Sequence, residues 1–388
     1  MKKKICVVTG SRSEYGLLKN IIKNIQKSKL IDLRLVVTGT HLSKKFGYTA
    51  KYIKNDGFKI HSKLKILKNS ETANATCLAI SSTISKMSLY LNKTRPDMLL
   101  VLGDRFETFS CVTAAMINRI PIGHIHGGEL TFGLIDDSLR HSITKMSKFH
   151  FVSNKEYKNR VIQLGEDKKN IFLVGAPAVD TIKNTKFFNS NKLEKILKIK
   201  LKQKIILVTY NPISLDKKTS YSEINHLLKS LENFYDSTII ITMPNTDPFS
   251  FEIFKRIKKF EKRNLNCKSF KSLGQDTYYS LMNIANIVVG NSSSGIIETP
   301  FFSKPCINIG KRQEGRVKAK NIIDCNGNVK SITSSINFGL TKKFQTLSKS
   351  IENPYGSGDS SKKITAILEK LLSKKIDVKK KFIDFKLR

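Results

Sequence analysis

Several familiar signatures are missing from this chain of 388 residues, and each absence narrows the field. No apolar run approaches the roughly 20 residues needed to span a bilayer. The N-terminus sets Met1-Lys2-Lys3-Lys4 before Ile5-Cys6-Val7-Val8, but this apolar part stops at Thr9-Gly10-Ser11-Arg12. That is too short for the core of a signal peptide and reads instead as a first buried strand. The six cysteines (Cys6, Cys77, Cys111, Cys267, Cys306, Cys325) form no C-x-x-C pair. Several lie inside apolar segments as small core residues, which fits a reduced cytoplasm. There is no G-x-G-x-x-G dinucleotide fingerprint and no D-x-D pair for a magnesium diphosphate. Internal repeats and long low-complexity linkers are absent as well.

Acidic residues are scarce: 31 Asp and Glu face 69 Lys and Arg, a formal charge of +38. A basic face releases counterions from phosphate backbones, so nucleic acid must be weighed. The lysines, however, are spread over nearly every predicted helix and loop without one dominant cluster. No helix-turn-helix, zinc-finger or RNP-like aromatic motif accompanies them. A proteome-wide compositional bias explains them better, and the positive field then serves to attract a small anionic substrate. Neither nucleic acid nor membrane is expected as a partner.

The rest of the sequence is that of a globular α/β protein. At this length two domains are the natural division. Short apolar runs alternate with helical patterns: strands at Ile5–Thr9, Leu33–Val37, Met98–Leu102, up to Ile125, and Phe149–Val152, with helices at Tyr15–Gln26, Cys77–Leu91 and Glu107–Ile117. Repeated strand–helix–strand units predict a parallel sheet covered on both faces. This first domain is expected over residues 1–178. A lysine-rich helical connector, Leu193–Lys204, leads into further strands at Ile205–Thr209, Thr238–Thr242, Cys267–Phe270, Ile287–Val289 and Cys306–Ile309. The second domain, 179–360, is again doubly wound. A C-terminal helical segment, 361–388, follows the turn-rich Pro354–Gly358; its amphipathic part runs Ser361–Ser373 and a basic tail completes it. The expected picture is two Rossmann-like domains facing a cleft.

Chemistry-bearing residues gather just after predicted strands, where open α/β sheets bind ligands. Gly103-Asp104-Arg105 follows Met98–Leu102. His124-Ile125-His126-Gly127-Gly128-Glu129 brackets a strand end, and Asp136, Asp137, Arg140 and His141 follow. Positions two apart on a strand share a face, so His124 and His126 are expected to point together. A metal on this pair with Asp104 would need a third histidine at supportive spacing, and none is present. Asp136 and Asp137 also suit an ordinary acidic helix start, yet their position beside the Glu129 loop favours catalysis. Arg12, at the turn Thr9–Gly16, adds a cation to helix N-terminal amides, a seat for phosphate. Gly290-Asn291-Ser292-Ser293-Ser294-Gly295 sets three serines between glycines at a strand-to-helix turn, where one would suffice as a cap. That is the strongest phosphate signal of the chain. Glu298 lies one turn on, suited to ribose hydroxyls, and Lys311-Arg312-Gln313-Glu314-Gly315-Arg316 supplies cations for a leaving diphosphate. His41, His61, His150 and His226 stand alone.

Taken in order, G-S-R-S-E-Y-G, V-L-G-D-R-F-E, H-I-H-G-G-E, I-D-D-S-L-R-H-S-I-T-K, G-N-S-S-S-G and G-K-R-Q-E-G-R resemble the hydrolysing UDP-N-acetylglucosamine 2-epimerases of bacterial sialic- and legionaminic-acid pathways. The resemblance runs from about Ile5 to Gly358. It implies a glycosyltransferase-B-like pair of Rossmann domains, no cofactor or metal, a nucleotide-sugar substrate, a homodimer or other homo-oligomer, and a C-terminal helix that packs back on the first domain. It also implies loss of the nucleoside diphosphate with the proton at sugar C2, then addition of water to give the free 2-epimer. Catalysis would fall to Asp104, His126, Glu129, Asp136 and Arg140. Arg12, Gly16, Asn211, Asn245, Ser292, Ser293, Ser294, Gly295, Glu298 and Arg312 would hold the nucleotide and diphosphate. UDP-N-acetylglucosamine is the expected substrate. UDP- or GDP-N,N'-diacetylbacillosamine is the alternative, and a glycosyltransferase of the same fold a further one. Two departures stand out. His126 takes the place of a glutamate usual in sialic-acid members, which leans toward the diacetamido sugar, and Asn211 takes the place of a frequent histidine, which removes any titration there.

Overall fold

The computed structural model describes residues 2–45, 47–66, 72–131, 134–213, 216–244 and 249–384. Two compact units divide the chain. Met1–Glu129, Asp136–Thr181 and Tyr355–Arg388 form the first, and Leu130–Ile135 with Ile182–Pro354 form the second.

The first unit is built on seven strands: β1 (Lys3–Thr9), β2 (Ile31–Val37), β3 (Ser62–Lys63), β4 (Met98–Leu102), β5 (Ile122–Ile125), β6 (Phe149–Val152) and β7 (Ile171–Leu173). They pair in parallel in the order β3-β2-β1-β4-β5-β6-β7. The run Ile5–Val8 is apolar throughout because both faces of β1 are covered. Ile5 and Val7 join the core on one side with Leu18, Ile22 and Ile25, while Cys6 and Val8 join that on the other with Met87 and Leu91. The second unit repeats the plan with β8 (Lys204–Thr209), β9 (Ser237–Thr242), β10 (Cys267–Phe270), β11 (Ile287–Gly290), β12 (Cys306–Ile309) and β13 (Ile322–Cys325), in the order β10-β9-β8-β11-β12-β13. Again the alternation divides one strand between two cores, Ile206 and Val208 on one side, Ile205 and Leu207 on the other.

Two helical expectations need correction. The connector helix covers Ser190–Leu197 only, because Lys198 turns left-handed at φ +54, and β8 begins at Lys204. The C-terminal helix is Ser360–Leu372, not the whole of 361–388. Beyond it come lysine pairs and the β-branched Ile376 and Val378, poor material for continuing a helix. The tail is held otherwise: Lys380 Nζ lies 2.7–2.9 Å from the buried Glu166 carboxylate, and Ile383 N donates to Gly165 O at 3.0 Å.

The helix Ser360–Leu372 packs on the helix Arg12–Lys27 through Ile364, Leu368 and Leu372. Its N-terminus is capped from a distance. Asp180 accepts from Ser360 N (2.7 Å), Ser360 Oγ (2.8 Å) and Ser361 N (2.6 Å), leaving those orphan donors satisfied inside the unit. Among the described residues no helix is long and apolar enough to cross a membrane.

Candidate active site

Each sheet reverses its strand order once, between β1 and β4 in the first unit and between β8 and β11 in the second. The crevice outside the carboxyl ends of strands at such a point is where open α/β sheets bind ligands. In the first unit, β4 ends at Leu102 and Gly103 (φ +81) swings the chain into Asp104. β5 ends at Ile125, and His126 comes next in a left-handed conformation (φ +70) with its N–H on Phe151 O at 3.1 Å.

That left-handed residue overturns the expected pairing of the two histidines, since strand alternation stops before His126. His124 is fully buried, with Nε2 2.8 Å from Gly103 O and Nδ1 3.1 Å from Thr144 Oγ1. Burial pushes its pKa down to about 3, so it is a neutral strut between elements. His126 belongs to a different set. Its Nδ1 is hydrogen-bonded to Glu129 Oε1, while Nε2 is buried and has no hydrogen-bond partner among the described residues.

Arg140 ties this set together. It is 4% exposed, rises from the second turn of the helix Ile135–Met146, and donates to Asp104 Oδ2 and, at 3.1 Å, to His126 O. Its Nη1 lies 3.8 Å from Glu129 Oε2. One guanidinium thus offsets two carboxylates, and an imidazole closes the row. Asp136 sits half-buried in the first turn of the same helix. Gly128 (φ +79) gives the loop its shape, as a Cβ there would lie 2.4 Å from Tyr157 O.

At the end of β1 the turn is less open to an anion than expected. Ser11 caps the helix Arg12–Lys27, and its Oγ takes Glu14 N at 3.3 Å. Gly10 N is taken by Glu14 Oε2 at 3.0 Å. Two amides of the foreseen phosphate seat are therefore satisfied by their own neighbours. Arg12 remains exposed, its guanidinium 4.7 Å from the centre of the Tyr52 ring, and the Gly16 carbonyl accepts from Thr181 Oγ1 at 3.4 Å.

The second unit places small and amide residues at its switch point. Asn291 Oδ1 accepts from Asn211 N (2.7 Å) and Asn291 Nδ2 donates to Asn211 O (2.8 Å), pinning the end of β8 to the end of β11. Arg312 Nη1 and Gln313 Nε2 both donate to Asn291 O, at 3.2 and 2.8 Å. Gly290 (φ +142) is required, because a Cβ there would lie 1.9 Å from Thr209 O. Ser292 caps the helix Ser293–Ile297, and Ser294 Oγ meets Ser292 Oγ (3.1 Å) and Tyr278 OH (2.8 Å). Gly295 packs on Cys306. Five residues sum to a small macrodipole, so an anion here would depend on local N–H groups, serine hydroxyls and Arg312 more than on a long helix. Glu298 ends the turn. Tyr279 OH donates to its Oε1 at 3.1 Å, Oε2 is buried without a partner among the described residues, and burial pushes its pKa up to about 7.

With this geometry in place, comparison with known proteins decides the family. The family model for UDP-N-acetylglucosamine 2-epimerase matches residues 23–369. The chain belongs to that family. A relative from Campylobacter jejuni, GDP/UDP-N,N'-diacetylbacillosamine 2-epimerase (hydrolyzing), is 44% identical over 324 residues, 83% of this chain and 84% of that protein. Polysialic acid biosynthesis protein P7 of Escherichia coli is 33% identical over 98% of this chain and 97% of its own. In fold, the chain matches the crystal structure of UDP-GlcNAc 2-epimerase from Neisseria meningitidis bound to UDP-GlcNAc, with a TM-score of 0.82 at 20% identity, over 96% of this chain and 100% of that one.

Within this epimerase-family chain most of the sequence-predicted residues fall into two groups, while Arg12 and Gly16 stand on the helix after β1 and Asp136 in the first turn of Ile135–Met146. Asp104, His126, Glu129 and Arg140 come together in the first unit. Asn211, Ser292, Ser293, Ser294, Gly295, Glu298 and Arg312 gather at the switch point of the second. Asn245 lies outside the described residues. Sequence reasoning passed over Asn291 and Gln313, although both stand inside quoted motifs. It also passed over Glu14 and Glu107. Glu107 is 1% exposed, accepts from Arg105 Nε at 3.2 Å, and its Oε1 is buried without a partner among the described residues. Two acids that follow strand ends four and five residues after Gly10 and Leu102 were the available signal. Tyr278 and Tyr279 carried none, since a tyrosine pair in a helix reads as core. Among the described residues no group of three His, Cys, Asp or Glu side chains is placed to share a metal ion.

Proposed function

We propose that this protein is a hydrolysing nucleotide-sugar 2-epimerase, converting UDP-N-acetylglucosamine to N-acetylmannosamine and UDP by elimination and then hydration. The observation that carries this reading is the row Asp104–Arg140–Glu129–His126, which ends in a buried imidazole nitrogen with no partner among the described residues. The proton at sugar C2 is weakly acidic, so C1–O cleavage must run ahead and build positive charge on the ring. Carboxylates beside the ring stabilise such a cation, and Asp104 and Asp136 take that role. Arg12, Arg312 and the serine turn Ser292–Gly295 oppose the charge of the departing diphosphate. Glu298 accepts from ribose hydroxyls, and Gly16, Asn211 and Asn245 complete the nucleotide contacts.

A second substrate is favoured by one specific observation. The Campylobacter jejuni relative, at 44% identity, is named for GDP/UDP-N,N'-diacetylbacillosamine, and His126 leans the same way. The reaction is unchanged and only the 4- and 6-substituents differ. The chain is further proposed to work in the cytoplasm, where its six unpaired cysteines stay reduced, and as a homodimer or other homo-oligomer. Incubation in deuterated water with UDP-N-acetylglucosamine, and separately with UDP- and GDP-diacetylbacillosamine, tests the reading by proton NMR. Release of free 2-epimer with deuterium at C2 supports it and names the donor. No release from any donor overturns it in favour of a transferase.

A further inference from the structure

We infer that Glu129 is a positioning residue that fixes the tautomer of His126, leaving Nε2 as the ring atom that takes the proton from sugar C2. The part of this that concerns proton removal rests on the 2-epimerase reading above. The tautomer does not.

An ionised carboxylate can only accept hydrogen bonds, so the ring nitrogen facing Glu129 must carry the hydrogen. That nitrogen is Nδ1, and a ring carrying this one hydrogen has its lone pair on Nε2. Nε2 is the ring atom that the rest of the unit leaves alone: it is buried and without a partner among the described residues. His124 offers the contrast within the same strand end. Both of its nitrogens are engaged, by Gly103 O and Thr144 Oγ1, which leaves it no free lone pair to offer.

The ring is also held in place. The His126 backbone is fixed on both sides, its N–H on Phe151 O and its carbonyl on Arg140 Nη1, each at 3.1 Å. Glu129 is in turn steadied by Arg140 Nη1 at 3.8 Å and by Ser153 Oγ at 3.5 Å. A base oriented by a third group is the general logic of an activated catalytic pair. In the elimination, the C2–H bond breaks and its proton passes to Nε2. The electron pair of that bond becomes the second bond of C1=C2, and the C1–O pair leaves with the diphosphate. The imidazolium so formed lies against the Glu129 carboxylate, which stabilises the new charge.

The test uses ¹⁵N-histidine-labelled full-length protein, in which His126 is one of seven histidines and is assigned by its loss in His126→Gln. The expected spectrum shows the Nδ1–H tautomer for His126 in the wild type and a mixture in Glu129→Gln. With the donor that turns over, Glu129→Gln should lower kcat by on the order of 10²–10³-fold with KM within about threefold. Glu129→Asp should restore both the tautomer and part of kcat, which guards against a variant that merely folds badly. A wild-type Nε2–H tautomer overturns the inference, and so does a Glu129→Gln variant that loses activity while His126 keeps its tautomer. If the tautomer is as expected and no nucleotide sugar turns over, positioning by Glu129 stands and the assignment of Nε2 as base falls with the epimerase reading.

Discussion

The two units share a strand order around their switch points, and they differ in the side chains set just past the strand ends. Past β4 and β5 the first unit sets Asp104, Arg105, His126 and Glu129, with Arg140 bonded to Asp104 and the buried Glu107 bonded to Arg105. Past β8 and β11 the second sets Asn211, Asn291 and three serines, with Arg312 as the cation bonded to that turn. Titratable groups suit proton transfer, whereas amides and hydroxyls hold oxygens without changing charge. One architecture therefore presents two kinds of chemistry, and the division is visible only at the side chains.

The largest effect expected from breaking that division is Asp104→Asn. It should lower turnover by about 10³-fold or more if, as proposed, the carboxylate charge stabilises the cationic sugar ring. UDP binding, measured by calorimetry, should change by less than about threefold. A comparable loss of UDP affinity would mean that the first unit is no specialist and that the comparison fails. Gly290→Ala strikes the other side. A Cβ 1.9 Å from Thr209 O at φ +142 forces β8 and β11 apart, which should cost about 4 kcal/mol in denaturant unfolding and weaken UDP binding. Wild-type stability in that variant would show that the turn is not held as described.

Much of the molecule is legible in its sequence, for identifiable reasons. Met98–Leu102 and Phe149–Val152 are strands with the bounds read from sequence, since a short apolar run between turn signals leaves little choice. β13 escapes notice because Ile322–Cys325 lies at the sheet edge, where its residues are exposed or half-buried and the apolar signal is weak. The pairing of His124 with His126 fails because period-two alternation holds only while φ stays extended, and nothing in H-I-H-G-G-E announces a left-handed histidine. The phosphate seat at Gly10 is overestimated for a related reason. The glutamate that consumes its amide sits four residues on, and sequence shows spacing but not which donors are already taken.

Acidity sharpens the comparison from within the second unit. Burial raises the Glu298 pKa from 4.5 to about 7, so the folded chain binds a proton that the unfolded chain releases between those values. The contribution of this group to stability is full below about pH 4.5 and is lost as pH rises through about 7. Relative to Glu298→Gln, the nucleotide-free wild type should lose on the order of 2 kcal/mol between pH 5 and 8 in urea unfolding. Parallel curves for the two proteins would place Glu298 in water rather than in the dry site described.

The smallest effect separates the units by how each is closed. The second is nearly continuous in sequence, while the first is completed by Tyr355–Arg388, whose helix is capped by Asp180 across 180 residues of chain. Asp180→Asn keeps one acceptor oxygen and removes the charge, so it should cost about 1–2 kcal/mol and loosen only the first unit. Hydrogen exchange tests this residue by residue. Faster exchange in Ser360–Leu372 and along the facing helix Arg12–Lys27, with β8 to β13 unchanged, is the expected pattern. Equal loosening in the second sheet would mean that the two units unfold together, and that the contrast in side chains at their strand ends is not matched by independence in stability.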